Sequence, residues 1–157
     1  MTGTLGPGDL APDFSLPAGP AGSLSLAALR GRKVVIYFYP RADTPGCTQE
    51  AMDFNRLRKA FAGAGTEVVG VSADTEQAVE KFRKKHKLAI ALATDPGLDT
   101  LHAYGVWSEK RLYGRKFMGI VRSTFLIDAK GRIAQVRRNV RVPGHAEAVL
   151  AAAKALG

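Results

Sequence analysis

The sequence predicts an α/β domain with a central mixed β-sheet flanked by helices. Three observations carry this. Residues 34–39 form an unbroken apolar run rich in β-branched and aromatic side chains, the mark of a strand covered on both faces. Downstream, Ala51, Phe54, Leu57 and Phe61 are spaced 3, 3 and 4 apart, which draws one apolar stripe along a helix over 47–62. Val68, Val69 and Val71 then start a second strand. Residues 34–72 thus make a strand-helix-strand unit whose strands run parallel with a right-handed crossover.

The remaining elements follow in order. The first forty residues are rich in Gly and Pro and carry short alternating pieces at 13–16 and 23–26, a brief hairpin or edge strands. Gly63 and Gly65 end the first helix. A second helix is expected over 75–87 and a short strand over 89–92. A hairpin follows, 123–127 and 133–136 around Asp128-Ala129-Lys130-Gly131, adding antiparallel strands to the sheet. The last helix, 144–156, turns Ala146, Val149, Leu150 and Ala153 inward.

Composition narrows the function classes. At 157 residues, 46% hydrophobic and 24% charged, the chain fits a single domain over 1–157 with a substantial core. The apolar run at 34–39 is far short of the roughly 20 residues that span a bilayer, so no membrane partner is expected. The opening Met1-Thr2-Gly3-Thr4-Leu5-Gly6-Pro7 lacks the basic start and apolar stretch of a signal peptide, and the single cysteine permits no intramolecular disulfide; both favour the cytoplasm. Lys plus Arg number 23 against 14 Asp plus Glu, a net charge of +9. The densest basic run, 81–87, carries Ala78, Val79, Phe82 and His86 at helical spacing, which makes its cations the solvated face of an amphipathic helix. Neither stacking aromatics among cations nor a reading motif supports nucleic-acid binding.

Open α/β sheets hold ligands at the carboxyl ends of their strands, and residues 40–47 leave the end of the first central strand. Thr44 is a favoured N-cap and Pro45 suits the first helical position. Cys47 then falls third in the helix, where its sulfur faces back toward the Thr44 hydroxyl at the positive helix end, which favours a thiolate. Gly46 leaves the approach to the sulfur open. The competing reading is a small buried hydrophobe, since free cysteine is among the most buried residue types; cap, proline and glycine before it favour a reactive thiolate. No pair of His86, His102 and His145 has ligand spacing with Cys47, so no metal is expected. Thioredoxin-type disulfide exchange within the chain needs a second sulfur. A lone thiolate attacks either a carbonyl or a peroxide oxygen. Amide hydrolysis also needs a histidine beside it, and the sequence alone leaves that open.

These residues resemble the peroxiredoxins of the Q type, also called bacterioferritin comigratory proteins. Pro40, Thr44 and Cys47 match the family's spacing of Pro, three residues, Thr or Ser, two residues, Cys, and residues 44–48 read Thr-Pro-Gly-Cys-Thr in full. The likeness continues through 104–107, 113–119 and 122–128, and covers about 8–156. It implies a thioredoxin-like fold and a peroxidase that reduces hydrogen peroxide and organic hydroperoxides without a cofactor. Cys47 is then the nucleophile that becomes a sulfenic acid. Thr44 holds the peroxide, Pro40 shields the pocket, and Arg122 stabilises the thiolate and the charge on the leaving oxygen. The Gly46 and Cys47 N–H groups complete the oxygen site. Glu50 either orients Arg122 or is a plain first-turn carboxylate favouring the helix dipole. Many Q-type members carry a second cysteine five residues after the first, where this chain has Met52; five residues turn a helix by about 140°, so that position faces away. The resemblance therefore implies a monomeric, one-cysteine enzyme resolved by an external thiol: thioredoxin, glutaredoxin with glutathione, or another small thiol. A redox-sensing or chaperone-like protein without turnover is the alternative.

Overall fold

The computed structural model describes residues 5–156. The expectation drawn from the start of the chain rests largely on residues 1–4, which lie outside the described residues. A short hairpin opens the fold, β1 (Ser15–Pro17) antiparallel to β2 (Ser23–Ser25). The chain continues through β3 (Lys33–Phe38), α1 (Pro45–Arg56), α2 (Arg58–Gly63), β4 (Thr66–Ser72), α3 (Glu76–Lys85) and β5 (Ala91–Thr94). It ends with α4 (Asp99–Ala103), β6 (Trp107–Leu112), β7 (Arg115–Ile120), β8 (Ser123–Ile127), β9 (Ile133–Arg138) and α5 (His145–Ala155).

Five strands make one mixed sheet in the order β5-β4-β3-β8-β9. β3, β4 and β5 are parallel, while β8 runs antiparallel to β3 and β9 to β8. β3 takes the middle because both its faces are apolar. Val34, Ile36 and Phe38 enter one core cluster with Leu101, Tyr104 and Phe125. Val35 and Tyr37, with Tyr39 beyond them, enter the other against Cys47, Ala51 and Phe54 of α1, Phe61 of α2 and Val149 of α5. Burial of each such side chain stabilises the fold by roughly 1.5–3 kcal/mol. No helix among the described residues is long and apolar enough to cross a membrane.

Several elements differ from the expectation. The helix expected over 47–62 begins two residues earlier and divides at Leu57, because Arg58 Nη1 draws out the Asn55 carbonyl at 2.8 Å and the turn tightens there. The apolar stripe survives the break, with Phe54 and Phe61 ring centroids 5.9 Å apart, which is why spacing alone shows one helix. β5 sits two residues later than 89–92, since the Ala89 and Ile90 N–H groups donate to Asn55 Oδ1 and not to β4. In α3, Val79 and Phe82 are buried and Lys81, Lys84 and Lys85 exposed, but Ala78 faces solvent instead of the core. Ala146, Val149 and Ala153 of α5 are buried and Leu150 is half-buried. The β6–β7 hairpin and α4 have no counterpart in the sequence reading. Tyr113 (φ 52°) and Gly114 (φ 76°) close that hairpin as a two-residue turn with both central φ positive.

Candidate active site

The loop between β3 and α1 is tied down before the helix begins. The Ala42 N–H donates to Asp74 Oδ2 at 2.7 Å, and the Ser72 hydroxyl donates to the same oxygen at 2.9 Å. Asp43, at φ 62°, accepts from Lys85 Nζ at 3.0 Å and lies 3.1 Å from His86 Nε2, so the far end of α3 clamps the loop. Pro40 is half-buried in the bend after β3. Thr44 occupies the N-cap position and Pro45 the first helical one, as expected, and Cys47 is third.

The expected Thr44–Cys47 contact is not formed. A hydroxyl has one proton, and that of Thr44 goes to the Arg41 carbonyl at 2.8 Å, turning the side chain back into the loop. The sulfur's hydrogen-bond partner is Arg122 instead. Arg122 Nη2 donates to Cys47 Sγ at 3.3 Å and Nη1 donates to Glu50 Oε1 at 2.6 Å. Glu50 lies one turn beyond Cys47 on the same helix face, so one guanidinium spans two consecutive turns of α1. It is outside the first turn, which leaves the orienting reading of Glu50 and removes the helix-dipole one. Gly46 makes the approach possible: a Cβ there would stand 3.2 Å from Arg122 Nη2. Arg122 itself is fixed between β7 and β8, where the Val121 N–H donates to the Val106 carbonyl at 2.8 Å and the Val140 N–H donates to the Arg122 carbonyl at 3.1 Å.

Two members of this cluster are buried while Arg122 is half-buried. Cys47 and Glu50 are each 1% exposed, and Glu50 Oε2 has no hydrogen-bond partner among the described residues. Burial pushes the Glu50 carboxyl up to about 7 against the opposing pull of Arg122. Close to it the buried Tyr37 and Tyr39 phenols are raised by desolvation, against a smaller opposing pull of Ser72 on Tyr39, and the Tyr37 hydroxyl meets no hydrogen-bond partner among the described residues.

The structure thus brings Cys47, Gly46, Glu50 and Arg122 together, while Thr44 at the helix N-cap and Pro40 in the bend after β3 lie on the loop that leads into them. None of the three histidines serves the sulfur. His86 is held by Asp43, His145 Nε2 lies 2.7 Å from Thr124 Oγ1, and His102 is exposed. The constellation of a cysteine hydrolase is therefore not assembled among the described residues. Sequence reasoning missed the anchors Asp43, Asp74 and Val140; only the strained Asp43, flanked by turn formers, left a local signal.

The AhpC/TSA family profile matches residues 7–136. The chain belongs to the AhpC/TSA family. Within it the similarity runs to peroxiredoxins: 44% identity over 144 residues with the putative peroxiredoxin Rv2521 of Mycobacterium tuberculosis, covering 92% of each chain. Among solved structures, the peroxiredoxin Q C47S mutant of Xylella fastidiosa superposes with a TM-score of 0.93 at 33% identity, covering 99% of both chains. The Xanthomonas campestris bacterioferritin comigratory protein, solved as trapped intermediate and ligand complexes concerned with alkyl peroxide reduction, gives 0.86 at 41% identity over 91% of both chains. This chain is accordingly a peroxiredoxin with the thioredoxin-like fold, as the resemblance implied. Met52, at the position discussed above for a second cysteine, is 45% exposed and points away from the buried Cys47.

Proposed function

We propose that this peroxiredoxin is a one-cysteine thiol peroxidase acting on hydrogen peroxide and organic hydroperoxides. The observation that carries the reading is the guanidinium of Arg122 bridging the sole cysteine and a buried carboxylate. A cation 3.3 Å from the sulfur stabilises negative charge there and on the oxygen that leaves it. Cys47 Sγ attacks one peroxide oxygen as the thiolate; the S–O bond forms, the O–O bond breaks, the peroxide's own proton stays on the sulfenic oxygen, and the departing alkoxide or hydroxide takes a proton from water. The Gly46 and Cys47 N–H groups at the helix start hold the peroxide, Thr44 Oγ1, whose own proton goes to the Arg41 carbonyl, accepts a hydrogen bond from the peroxide O–H, and Pro40 limits water. Glu50 fixes Arg122. A thiol then condenses with the sulfenic acid, releasing water, and a second thiol cleaves the mixed disulfide. Every group needed comes from one chain, so a monomer suffices, and the unpaired cysteine suits a reducing compartment such as the cytoplasm.

Intact-mass analysis after one equivalent of hydrogen peroxide tests this. One added oxygen on Cys47, discharged by thiol over repeated cycles and absent in Cys47→Ser, is expected. Equal peroxide consumption by parent and Cys47→Ser overturns the reading; a single oxidation without cycling makes the protein a sensor.

A further inference from the structure

Arg122 joins the active site to a second feature. Val140, whose N–H holds the Arg122 carbonyl, lies between β9 and α5 in the wall of an open cavity of about 460 Å³. Arg138 pairs with Ser123 across β8 and β9, and Ser123 pairs with Phe38 at the end of β3. The cavity therefore lies at the same end of the sheet as the Cys47 loop, two strands across from it.

Its charge is one-sided. Arg137, Arg138 and Arg141 line it and, among the described residues, no carboxylate does. The Arg138 guanidinium is occupied by the Gly105 and Tyr104 carbonyls at 3.3 and 3.5 Å and by the Phe125 ring, 5.3 Å from its centroid. Arg137 gives Nε to Gln135 Oε1 at 2.9 Å, and its terminal nitrogens meet no acceptor among the described residues. Arg141 is exposed and equally without one. Glu147, the carboxylate nearest in sequence, is spent on Arg56 at 2.7 Å. Two guanidiniums without counter-ions beside a cavity of small-ligand size favour a molecule bearing more than one carboxylate.

We infer that this cavity docks the thiol that reduces Cys47, and that the thiol is a small, peptide-sized molecule with at least two carboxylates. The inference rests on the one-cysteine reading above. Three extended residues span about 10 Å, so carboxylates held by Arg137 and Arg141 leave the thiol free to reach past Val140 toward Arg122. There its sulfur attacks the sulfenic sulfur: the S–S bond forms, the S–O bond breaks, and the thiol proton leaves with hydroxide as water. A second molecule of the same thiol releases Cys47 and departs as the disulfide.

Protein oxidised with one equivalent of hydrogen peroxide is mixed with glutathione or with uncharged dithiothreitol, and the return of the Cys47 thiol is timed. The comparison is between parent and Arg137→Gln/Arg141→Gln. Expected is a glutathione rate about tenfold lower in the variant, as two exposed charge contacts imply, and lower in the parent at high salt. S-methylglutathione should compete with glutathione, while the dithiothreitol and peroxide-oxidation rates stay unchanged. Equal losses with both thiols, no loss with either, or no competition by S-methylglutathione overturns the inference. So does an arginine-dependent rate with an acidic thioredoxin alone, which assigns the face to a protein reductant. If Cys47 gains no oxygen in the first step, the one-cysteine reading itself has failed, and the mass shows this before any thiol is added.

Discussion

Arg122 carries the site on one guanidinium, and its neighbours matter through what they let it do. Gly46 is the sharpest case. In Gly46→Ala the added Cβ, 3.2 Å from Nη2, forces the guanidinium off the sulfur by a few tenths of an ångström. Oxidation by peroxide should slow by about tenfold, within the range for weakening one transition-state donor. Stability should hold or rise, since alanine is up to about 1 kcal/mol better than glycine in a helix. Stopped-flow oxidation and thermal unfolding of the same variant check both, and unchanged oxidation would show that the close approach has no kinetic role. Arg122→Ala removes the donor outright and should cost about 10²–10³ in oxidation rate. Cys47, Pro45 and Thr44 were legible in the sequence because helix-start chemistry is local. Arg122 was not: it is one of 23 cations, 75 residues from Cys47, and only the family resemblance singled it out. The misplaced Thr44 contact has the same origin, since spacing puts a hydroxyl near a sulfur without saying where its proton goes.

At the scale of elements, the floor of the site depends on how closely β3 and β4 approach. Gly70 pairs with Tyr37, and a Cβ at Gly70 would stand 2.6 Å from Tyr37 Cζ and 2.9 Å from Leu92 Cδ2. Tyr37 has nowhere to go, being fully buried with its ring stacked on Phe54 at 4.6 Å. Gly70→Ala should therefore destabilise the fold by about 1–3 kcal/mol through overpacking. Tyr37→Phe should do the opposite or nothing, because the hydroxyl it removes is buried without a partner among the described residues and brings a desolvation cost of roughly 1–3 kcal/mol. Urea unfolding of the two variants separates them; a large loss in Tyr37→Phe would mean the phenol has a bonded partner. Strands that are apolar on both faces, such as β3, could be read from the sequence because burial and composition agree. The β6–β7 hairpin could not. Residues 111–118 are all exposed and interleave cations with apolar side chains, so no period of two survives, and only the Tyr113-Gly114 turn marks the place. The division of α1 from α2 was hidden for a different reason, a side-chain hydrogen bond that leaves the apolar stripe intact.

For the molecule as a whole, two buried groups set opposing dependences of stability on pH. Glu50 titrates near 7 in the folded protein against 4.5 for an ordinary glutamate, through burial. Between those values the folded chain holds a proton that the unfolded chain has released, so this contribution is complete below 4.5 and is lost as pH rises through 7. His145 is lowered from 6.5 to about 4 by burial first and then by the charges of Arg137 and Arg122. Here the unfolded chain takes up the proton first, so the contribution is complete above 6.5 and is lost as pH falls through 4. Each amounts to on the order of 3–4 kcal/mol at about 1.4 kcal/mol per pH unit, and between 4.5 and 6.5 the two slopes oppose one another. The surface carboxylates Asp43, held low by His86 and then Lys85, Glu80, held low by Arg83, and Glu147, held low by Arg56, add an acid-side loss to every variant alike. Comparison at each pH therefore isolates the buried pair. Glu50→Gln keeps an acceptor for Arg122 and should become steadily more stable from pH 4 to 6.5. His145→Gln keeps a partner for Thr124 and should lose stability relative to the parent from pH 4 to 6.5, the window over which the His145 contribution builds up. Urea unfolding free energies at half-unit intervals decide it: three parallel curves would mean that neither group is desolvated as its burial requires.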